Sequence, residues 1–243
     1  MGTLVSLPNP SLQPLSCWQL TKPLDLYSNP RGMGLATQAW PGRCLKILAT
    51  PVEGRRRLVQ LKEDGYRGWI EPQQLVGAEV SCAAGRPRQL NAPAIDALLP
   101  KLLTNAIAAM AIPNTYLWGG SLGPNFDCSG LVQRLFADLG VWIPRDAYQQ
   151  ERFCNAVAVN SGCFSLLAPG DLIFFGNPKR CSHVGLHLGN GRYLHSSGIS
   201  HGRNGIGIDA LWPSDKHPVA SHYRAEIRGA GRVQRCHDGS YLP

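Results

Sequence analysis

The chain has 243 residues, of which 44% are hydrophobic, with a net charge of +8 and a pI of about 9.2. This composition can support a hydrophobic core and excludes a disordered, collagen-like or coiled-coil protein. No apolar run is long enough to span a bilayer, and residues 1–20 show no basic segment followed by an apolar one. We therefore expect a cytoplasmic protein of one or two domains with no membrane partner.

The eight cysteines are scattered singly, and no two of them form a Cys-x-x-Cys pair. This spacing favours neither a zinc ribbon nor a thioredoxin-like site, and a chain of this length does not need disulfides. The positive charge invites a nucleic-acid hypothesis, but no recognised binding motif accompanies the basic run Arg55-Arg56-Arg57. We expect reduced cysteines and no nucleic-acid partner.

Residues 1–80 are predicted to form a small all-β domain. Short apolar runs alternate with turn clusters such as Pro41-Gly42 and Glu63-Asp64-Gly65, which is typical of short strands in a small barrel. The segment 64–70, Asp-Gly-Tyr-Arg-Gly-Trp-Ile, resembles a bacterial SH3-like domain. Residues 81–92 have no periodicity and are predicted to be a linker.

Residues 93–243 are predicted to form a second domain of the α+β class. The first helix is expected to run to about Ala111 with a kink at Pro100. A second helix is expected to begin at Cys128, followed by an apolar stripe at helical spacing. From Pro169 onward, short β-rich segments separated by turns predict an antiparallel sheet.

Cys128 is the candidate nucleophile. A cysteine attacks as the thiolate, and the positive partial charge of a helix N-terminus favours that form. Asp127 and Ser129 flank Cys128, which makes a poor environment for a cysteine that serves as a small buried hydrophobe. The other seven cysteines are interpreted as reduced residues without a catalytic role.

A catalytic cysteine needs a base, and the base needs a third group that fixes its tautomer. His183 begins one predicted strand and His195 lies on the next. Because side chains alternate along strands, the two share a face only if the hairpin places His195 opposite Gly185. A three-residue loop, 189–191, with Gly191 in the left-handed conformation has this effect, whereas a two-residue loop without a bulge separates the histidines.

His187 is an alternative for either histidine role because it shares the predicted strand face of His183. The ligand types of Cys128, His183, His187 and His195 would also suit zinc, but no recognised spacing supports such a site. We expect neither a metal nor an organic cofactor.

Six short motifs follow one another between residues 116 and 195. They are Tyr116-Leu117-Trp118-Gly119-Gly120, Phe126-Asp127-Cys128-Ser129-Gly130, Ile143-Pro144-Arg145, Pro169-Gly170-Asp171, Ser182-His183-Val184-Gly185 and His195. In this order they resemble the NlpC/P60 family of papain-like cysteine peptidases. With the SH3-like segment in front, they are similar to cyanobacterial γ-D-glutamyl-L-diamino acid endopeptidases and to cytosolic peptidases that recycle cell-wall peptides.

The resemblance implies a papain-like α+β catalytic domain behind an SH3-like barrel. It implies that Cys128 is the nucleophile, His183 the general base and acid, and His195 the third polar residue, while Tyr116 helps to bind the oxyanion. The implied substrate is a small murein peptide with a free N-terminal L-Ala, then γ-D-Glu and a diamino acid such as diaminopimelate. The implied reaction is hydrolysis of the bond between D-Glu and the diamino acid.

The resemblance also places Asp127, Ser129 and Arg145 in the substrate pocket, which Tyr66 closes. A carboxylate at Asp127 would suit the free ammonium, and the guanidinium of Arg145 would suit the α-carboxylate of D-Glu in a bidentate contact. Two alternatives stay open: Asp127 caps its helix, or Arg145 pairs with Asp146 or another acid.

A second acid from the first domain is expected to meet the substrate ammonium. The candidates are Asp25, Asp64 and Glu71. Two other functions also stay open, namely an amidase or acyltransferase that uses the same cysteine and histidine, and a non-catalytic module that binds cell wall.

Overall fold

The computed structural model describes residues 13–49, 55–77, 79–81, 87–159 and 162–243. Within these residues the chain forms two antiparallel sheets, one in the first third of the sequence and one in the second half. Each sheet covers its own cluster of buried apolar side chains. The prediction of an all-β unit followed by an α+β unit is confirmed.

The first sheet is built from seven short strands. In chain order they are β1 (Cys17–Leu20), β2 (Leu24–Tyr27), β3 (Leu35–Ala39), β4 (Cys44–Ile47), β5 (Arg57–Leu61), β6 (Arg67–Ile70) and β7 (Glu79–Ser81). Their order across the sheet is β3-β2-β6-β5-β4-β1-β7. Buried and more exposed residues alternate along β2, as expected where one face covers a core. Leu26, Leu45 and Val59 fill that core, and the short helix α1 (Pro72–Leu75) adds Leu75.

The predicted linker, 81–92, overlaps a strand at its first residue and a helix at its last. Ser81 ends β7 and Ala92 begins the next helix, while residues 82–86 lie outside the described residues. The domain boundaries at residues 80 and 93 stay predictions.

The helix predicted to run to Ala111 with a kink is in fact two helices, α2 (Ala92–Asp96) and α3 (Leu99–Ala111). Pro100 lies in the first turn of α3, where the missing N–H of proline breaks no intrahelical hydrogen bond. The proline therefore begins a new helix rather than bending an existing one. None of the helices in the described part of the chain is long and apolar enough to cross a membrane.

The second sheet has six strands and carries three further helices. The helices are α4 (Cys128–Ala137), α5 (Ala147–Phe153) and α6 (Pro218–Ala225); the strands are β8 (Asn155–Val157), β9 (Leu172–Asn177), β10 (Arg180–Gly189), β11 (Arg192–Ser197), β12 (Gly205–Ala210) and β13 (Ile227–Arg232). The order across the sheet is β12-β11-β10-β9-β13-β8. The helix α4 packs against β10 and β11, and its apolar stripe, which includes Leu131 and Val132, is fully buried there. The start of α4 at Cys128 is as predicted.

The hairpin between β10 and β11 decides which side chains share a face. Its loop has two residues, Asn190 and Gly191, with φ angles of 51° and 66°, so the predicted three-residue loop is wrong. A β-bulge between His187 and Gly189 supplies the extra residue instead. Leu186 pairs with Leu194, which puts His195 opposite Gly185, as the catalytic hypothesis requires.

The two sheets meet through buried polar and aromatic contacts. The hydroxyls of Thr37 and Ser121 are 3.0 Å apart, and the Gln133 side chain donates to the Asp64 carboxylate at 2.7 Å. The indoles of Trp40 and Trp142 stack with ring centroids 5.5 Å apart. Buried hydrogen bonds of this kind hold the two units in one arrangement.

Gly119 offers a test of this arrangement. Its φ is +76°, and an added Cβ would lie 2.6 Å from the carbonyl oxygen of Leu35 in β3. We expect Gly119→Ala to lower the free energy of unfolding by about 2 kcal/mol more than Gly140→Ala does. Gly140 is a matched control because its φ is +79° but nothing lies within 4 Å of an added Cβ. Equal losses in urea denaturation would contradict close packing of the Gly119 loop on the first sheet.

Candidate active site

A cleft of about 470 Å³ lies between the first sheet and the start of α4. The first sheet and its loops contribute Ser28, Gly34, Leu35, Ala36 and Tyr66; the second unit contributes Tyr116, Trp118 and the stretches 127–129, 146–148 and 180–182. Five predicted site residues therefore line the cleft, namely Cys128, Tyr116, Tyr66, Asp127 and Ser129. The other three, His183, His195 and Arg145, are buried and do not line it.

Cys128 is the first residue of α4 and lines the cleft although only 6% of it is exposed. The Asp127 carboxylate caps the helix by accepting a hydrogen bond from Gly130 N at 2.7 Å. Gly130 has no room for a side chain, because a Cβ would lie 2.1 Å from the carbonyl oxygen of Gly120. The Gly-rich loop and the capped helix thus fix the position of the sulfur.

A line of hydrogen bonds joins the buried side chains of His183, His195 and Asp209. Nε2 of His183 is 2.7 Å from Nδ1 of His195, and Nε2 of His195 is 2.6 Å from Oδ2 of Asp209. Arg203 donates to the other Asp209 oxygen at 2.8 Å. Burial opposes ionisation of Asp209, but the hydrogen bond from His195 and the nearby positive groups outweigh it and lower the pKa of the carboxyl.

The ionised Asp209 fixes the tautomers along this line. Its carboxylate can only accept, so His195 carries its proton on Nε2 and accepts at Nδ1 from Nε2–H of His183. The remaining nitrogen of His183, Nδ1, then has a free lone pair and can serve as a base. Tyr223 stacks on the His183 ring with centroids 4.0 Å apart and an interplanar angle of 18°, which holds the plane of the imidazole.

Asp209 was missing from the sequence prediction, although a signal for it exists. It stands in the pattern Gly205-Ile206-Gly207-Ile208-Asp209, where a charged residue takes an inward position of an alternating strand. His195 pairs with Gly207, and Asp209 shares the Gly207 face of β12 two residues further on. Recognising the partner required the strand register, which the sequence does not give.

His187, the alternative histidine, does not join this line. Its Nδ1 lies 2.9 Å from the carbonyl oxygen of Ala168, near the hairpin end of β10. Within the described part of the chain, no three His, Cys, Asp or Glu side chains are grouped so that they could hold a metal ion.

Burial has the largest effect on the pKa values of Cys128 and His183, and in Cys128 it outweighs the hydrogen bonds at the helix N-terminus. Burial raises the pKa of the Cys128 thiol to about 12, and the negative charge of Asp127 adds to this. Hydrogen bonds from the backbone N–H groups of Val184 and Ser129 act in the opposite direction but are weaker. Burial and the neighbouring histidines hold the pKa of His183 well below its usual value. Both directions favour a neutral thiol and a neutral imidazole in the free protein and oppose the effect of the helix N-terminus, which favours the thiolate.

Arg145 does not face the cleft, which corrects its predicted role as a reader of the substrate carboxylate. Its Nη1 and Nη2 donate to the two carboxylate oxygens of Asp127 at 3.0 and 2.8 Å. Further bonds go to the Ser129 hydroxyl at 2.9 Å, the Thr37 hydroxyl at 2.8 Å and the Gly120 carbonyl. All five N–H donors of a guanidinium are thereby engaged inside the protein.

The same contacts engage Asp127 and Ser129, which were both predicted to bind the substrate. The Asp127 carboxylate accepts from Gly119 N at 2.9 Å as well as from Gly130 N and Arg145. Its charge is therefore satisfied by the protein, and a substrate ammonium would have to compete with Arg145. The alternative that Asp127 caps its helix is the one the structure supports.

Both predicted tyrosines border the cleft. Burial raises the pKa of Tyr116 far above its usual value, and the nearby Cys128 and Asp127 add to the shift. Burial likewise raises the pKa of Tyr66. Each phenol therefore stays protonated and can donate a hydrogen bond into the cleft.

The three acids proposed for the substrate ammonium are engaged elsewhere. Asp25 accepts from Gln38 at 3.0 Å, Asp64 forms an ion pair with Arg43 at 2.8 Å, and Glu71 forms one with Arg56 at 2.8 Å. None of the three lines the cleft.

Asp146 is an acid of the cleft that could bind a substrate ammonium. It lines the cleft at the start of α5 and does not use its side chain to cap that helix. Within the described residues its carboxylate has neither a hydrogen-bond donor nor an ion-pair partner. Burial raises the pKa of this carboxyl, against the influence of Arg145. From the sequence, Asp146 was expected only as an ion-pair partner of Arg145, and its position in the cleft was not predicted.

Two stretches of the chain match known protein families. Residues 113–220 match the model of the NlpC/P60 family, and residues 26–75 match that of the bacterial dipeptidyl-peptidase SH3 domain. The chain thus carries an NlpC/P60 domain behind a bacterial SH3 domain. Cys128, His183 and His195 all lie inside the NlpC/P60 match, and Tyr66 lies inside the SH3 match.

Several curated relatives are named as peptidases. A gamma-D-glutamyl-L-lysine dipeptidyl-peptidase from Bacillus cereus is 39% identical over 84 residues, which cover 33% of this chain and 24% of the relative. The bifunctional muramidase/DL-endopeptidase CwlT from Bacillus subtilis is 41% identical over 92 residues, covering 35% of this chain and 26% of the relative. The chain spans about a quarter of the length of these relatives. The likeness to cyanobacterial enzymes stays a prediction.

Among solved structures, an NlpC/P60 family protein from Bacillus cereus is similar over 90% of this chain and 64% of its own, with 24% identity and a TM-score of 0.46. NlpC2 from Trichomonas vaginalis is similar over 90% of this chain and 72% of its own, with 19% identity and a TM-score of 0.45.

The protonation of Cys128 can be tested by alkylation of the free protein with iodoacetamide. Since burial raises the pKa of the thiol to about 12, we expect the rate at Cys128 to rise with pH throughout about pH 6 to 9. Peptide-level mass spectrometry distinguishes Cys128 from the exposed Cys163. A rate that is high and constant at acidic pH would instead show a thiolate paired with an imidazolium.

Asp209→Asn tests the tautomer assignment. An asparagine amide can donate to Nε2 of His195, which moves the His195 proton to Nδ1. His183 must then accept this proton at Nε2 and carry its own proton on Nδ1, where it can no longer act as a base. We expect kcat on a peptide substrate to fall about 100-fold or more with the fold retained. Asp138→Asn is the control, because Asp138 makes a solvent-exposed ion pair with Arg134. Equal activity of the two variants would rule out the role of Asp209.

Proposed function

We propose that the chain is a cysteine endopeptidase that hydrolyses the γ-D-glutamyl–L-diamino acid bond of short cell-wall peptides with a free N-terminal L-Ala. The observation that carries the proposal is the position of Cys128 at the head of α4, where its thiol meets the backbone N–H of Val184, the neighbour of His183 in the buried His183–His195–Asp209 line. The names of relatives such as the gamma-D-glutamyl-L-lysine dipeptidyl-peptidases support the choice of bond.

The reaction begins with proton transfer. As the substrate displaces water from the cleft, Nδ1 of His183 takes the Cys128 proton and the thiolate attacks the γ-carbonyl carbon of D-Glu. The N–H of Cys128 has no intrahelical acceptor at the first position of α4, so it can bind the oxyanion together with the Tyr116 hydroxyl. One such donor contributes about 3 kcal/mol to transition-state stabilisation.

The protonated His183 then donates to the leaving amine of the diamino acid, which leaves a thioester on Cys128. A water molecule, deprotonated by His183, hydrolyses the thioester and releases L-Ala-γ-D-Glu. Asp209 stabilises the positive charge that forms on the histidines at both stages.

The shape and charge of the cleft support a short substrate. Tyr66 and the loop residues Ser28 and Gly34 form a wall from the SH3 domain, which leaves little room for residues before L-Ala. The half-buried carboxylate of Asp146, which has no partner among the described residues, suits the free ammonium of that residue, because a partly desolvated carboxylate gains from an opposite charge. Such a substrate fits a role in recycling of peptidoglycan peptides in the cytoplasm.

The decisive test is product analysis with L-Ala-γ-D-Glu-diaminopimelate. We expect the products L-Ala-γ-D-Glu and free diaminopimelate, and no products with Cys128→Ala. Full hydrolysis by Cys128→Ala would refute the nucleophile. Release of ammonia or transfer of the acyl group to an added amine, in place of hydrolysis, would identify an amidase or acyltransferase.

Acetylation of the substrate N-terminus tests the role of Asp146. We expect the acetylated peptide to lose about 100-fold in kcat/KM with the wild type and much less with Asp146→Asn, since the charge interaction is already absent. An equal loss of kcat/KM in both proteins would show that a group other than Asp146 binds the substrate ammonium.

A further inference from the structure

The cleft contains one positive charge that the mechanism does not use. Among the residues that line it, Arg180 alone is a lysine or arginine. Arg145, the arginine expected to bind a substrate carboxylate, is committed to Asp127. An anionic group of the substrate therefore meets Arg180 first.

Arg180 is held in place from two directions. The Asn177 side chain accepts hydrogen bonds from the backbone N–H groups of Lys179 and Arg180 at 2.9 and 3.0 Å, which fixes the turn that begins β10. The guanidinium carbon lies 4.4 Å from the centroid of the Tyr148 ring, and Tyr148 also lines the cleft. An aromatic face orients a guanidinium while leaving its N–H groups available.

The guanidinium is unpaired. Within the described part of the chain, no carboxylate or carbonyl accepts a hydrogen bond from the Arg180 side chain. Asp146 is near enough for Arg180 to favour its ionised form, but burial, which raises the pKa, and Arg145 influence that carboxyl more strongly. The cleft therefore presents a free carboxylate and a free guanidinium close together without an ion pair between them.

This pair of charges complements the L-Ala-γ-D-Glu part of the proposed substrate. The ammonium of L-Ala and the α-carboxylate of D-Glu are separated by a single peptide unit, and both lie on the acyl side of the bond that is cleaved. If Asp146 meets the ammonium, the neighbouring cation is placed to meet the carboxylate. A β-bulge between Cys181 and His183 makes Arg180 and His183 pair with Asn177 and Phe175, two residues apart on β9, so Arg180 and His183 share a face of β10.

We propose that Arg180 binds the α-carboxylate of D-Glu and makes the enzyme select the free acid over the α-carboxamide, D-isoglutamine. This inference rests on the proposed function. A carboxylate accepts two parallel hydrogen bonds from a guanidinium, whereas the NH₂ group of a carboxamide faces it as a second donor and leaves an N–H unpaired. Discrimination by an unpaired polar group is stronger than discrimination by size.

The first test compares L-Ala-γ-D-Glu-L-Lys with L-Ala-γ-D-isoGln-L-Lys. We expect the wild type to prefer the free acid by about tenfold or more in kcat/KM, and Arg180→Gln to remove that preference by slowing cleavage of the free acid alone. Arg180→Lys keeps the charge and should retain part of the preference. Arg192→Gln, at an exposed arginine on β11, is the control and should behave as the wild type.

A substrate with a C-terminal lysine amide separates the two carboxylates of the peptide. If Arg180→Gln changes discrimination at the lysine carboxylate instead, the assignment to D-Glu is overturned. Equal cleavage of the acid and the isoglutamine peptide by the wild type would also overturn it, while the proposed function would stand.

Binding to Cys128→Ala tests the inference without turnover. By calorimetry, L-Ala-γ-D-Glu should bind about tenfold more tightly than L-Ala-γ-D-isoGln, and the difference should disappear when Arg180→Gln is added. Equal affinities overturn the role of Arg180 whether or not the wild type cleaves either peptide. Absence of cleavage with the expected difference in binding would count against the proposed function alone.

Discussion

The ion pair between Asp127 and Arg145 stands beside Cys128 in the fold and joins the start of α4, the Gly-rich loop and the first sheet. The carboxylate caps α4 and holds the Gly-rich loop, while the guanidinium reaches across to Thr37 in the SH3 domain. A buried ion pair of this kind adds little net stability, because desolvation offsets its attraction, but removing one partner leaves a charge buried and unpaired. Its value here is positional, since the start of α4, the Gly-rich loop and the SH3 domain share one set of hydrogen bonds.

The charged side chains at and next to the cleft are of two kinds, those already paired and those still able to bind a ligand. Asp127 and Arg145 neutralise each other inside the protein, whereas the side chains of Asp146 and Arg180 border the cleft with no hydrogen-bond or ion-pair partner among the described residues. Buried charges that are already paired cannot respond to a ligand, and unpaired charges at a cleft wall can. The net basic character of the chain thus matters less for recognition than the position of one arginine and one aspartate.

The sequence was sufficient for features that depend on local pattern. The helix beginning at Cys128 and the all-β unit before it follow from periodicity and short motifs, whereas the shared face of His183 and His195 depends on a bulge that the sequence did not predict. The failures concern contacts between distant segments. Asp209 is recognisable only once β12 is paired with β11, and the partner of Arg145 depends on how the chain returns to the start of α4.

The thiol pKa was also beyond reach of the sequence. A helix N-terminus favours the thiolate, but Cys128 is buried in the core cluster of the second unit, and burial has the larger effect on its pKa. Likewise, Pro100 reads as a kink in a continuous pattern, while the structure uses it to begin a helix. In each case the missing information is three-dimensional packing around an isolated residue.

The bulge in the hairpin between His187 and Gly189 has a consequence for how this domain tolerates change. Surface hairpins usually accept insertions and deletions, because only the loop lengthens or shortens. Here the count of residues between His183 and His195 sets which face His195 occupies, and a shift by one residue would rotate every side chain of β11 to the opposite side. A short turn far from the substrate is therefore constrained in length as tightly as the cleft is constrained in chemistry.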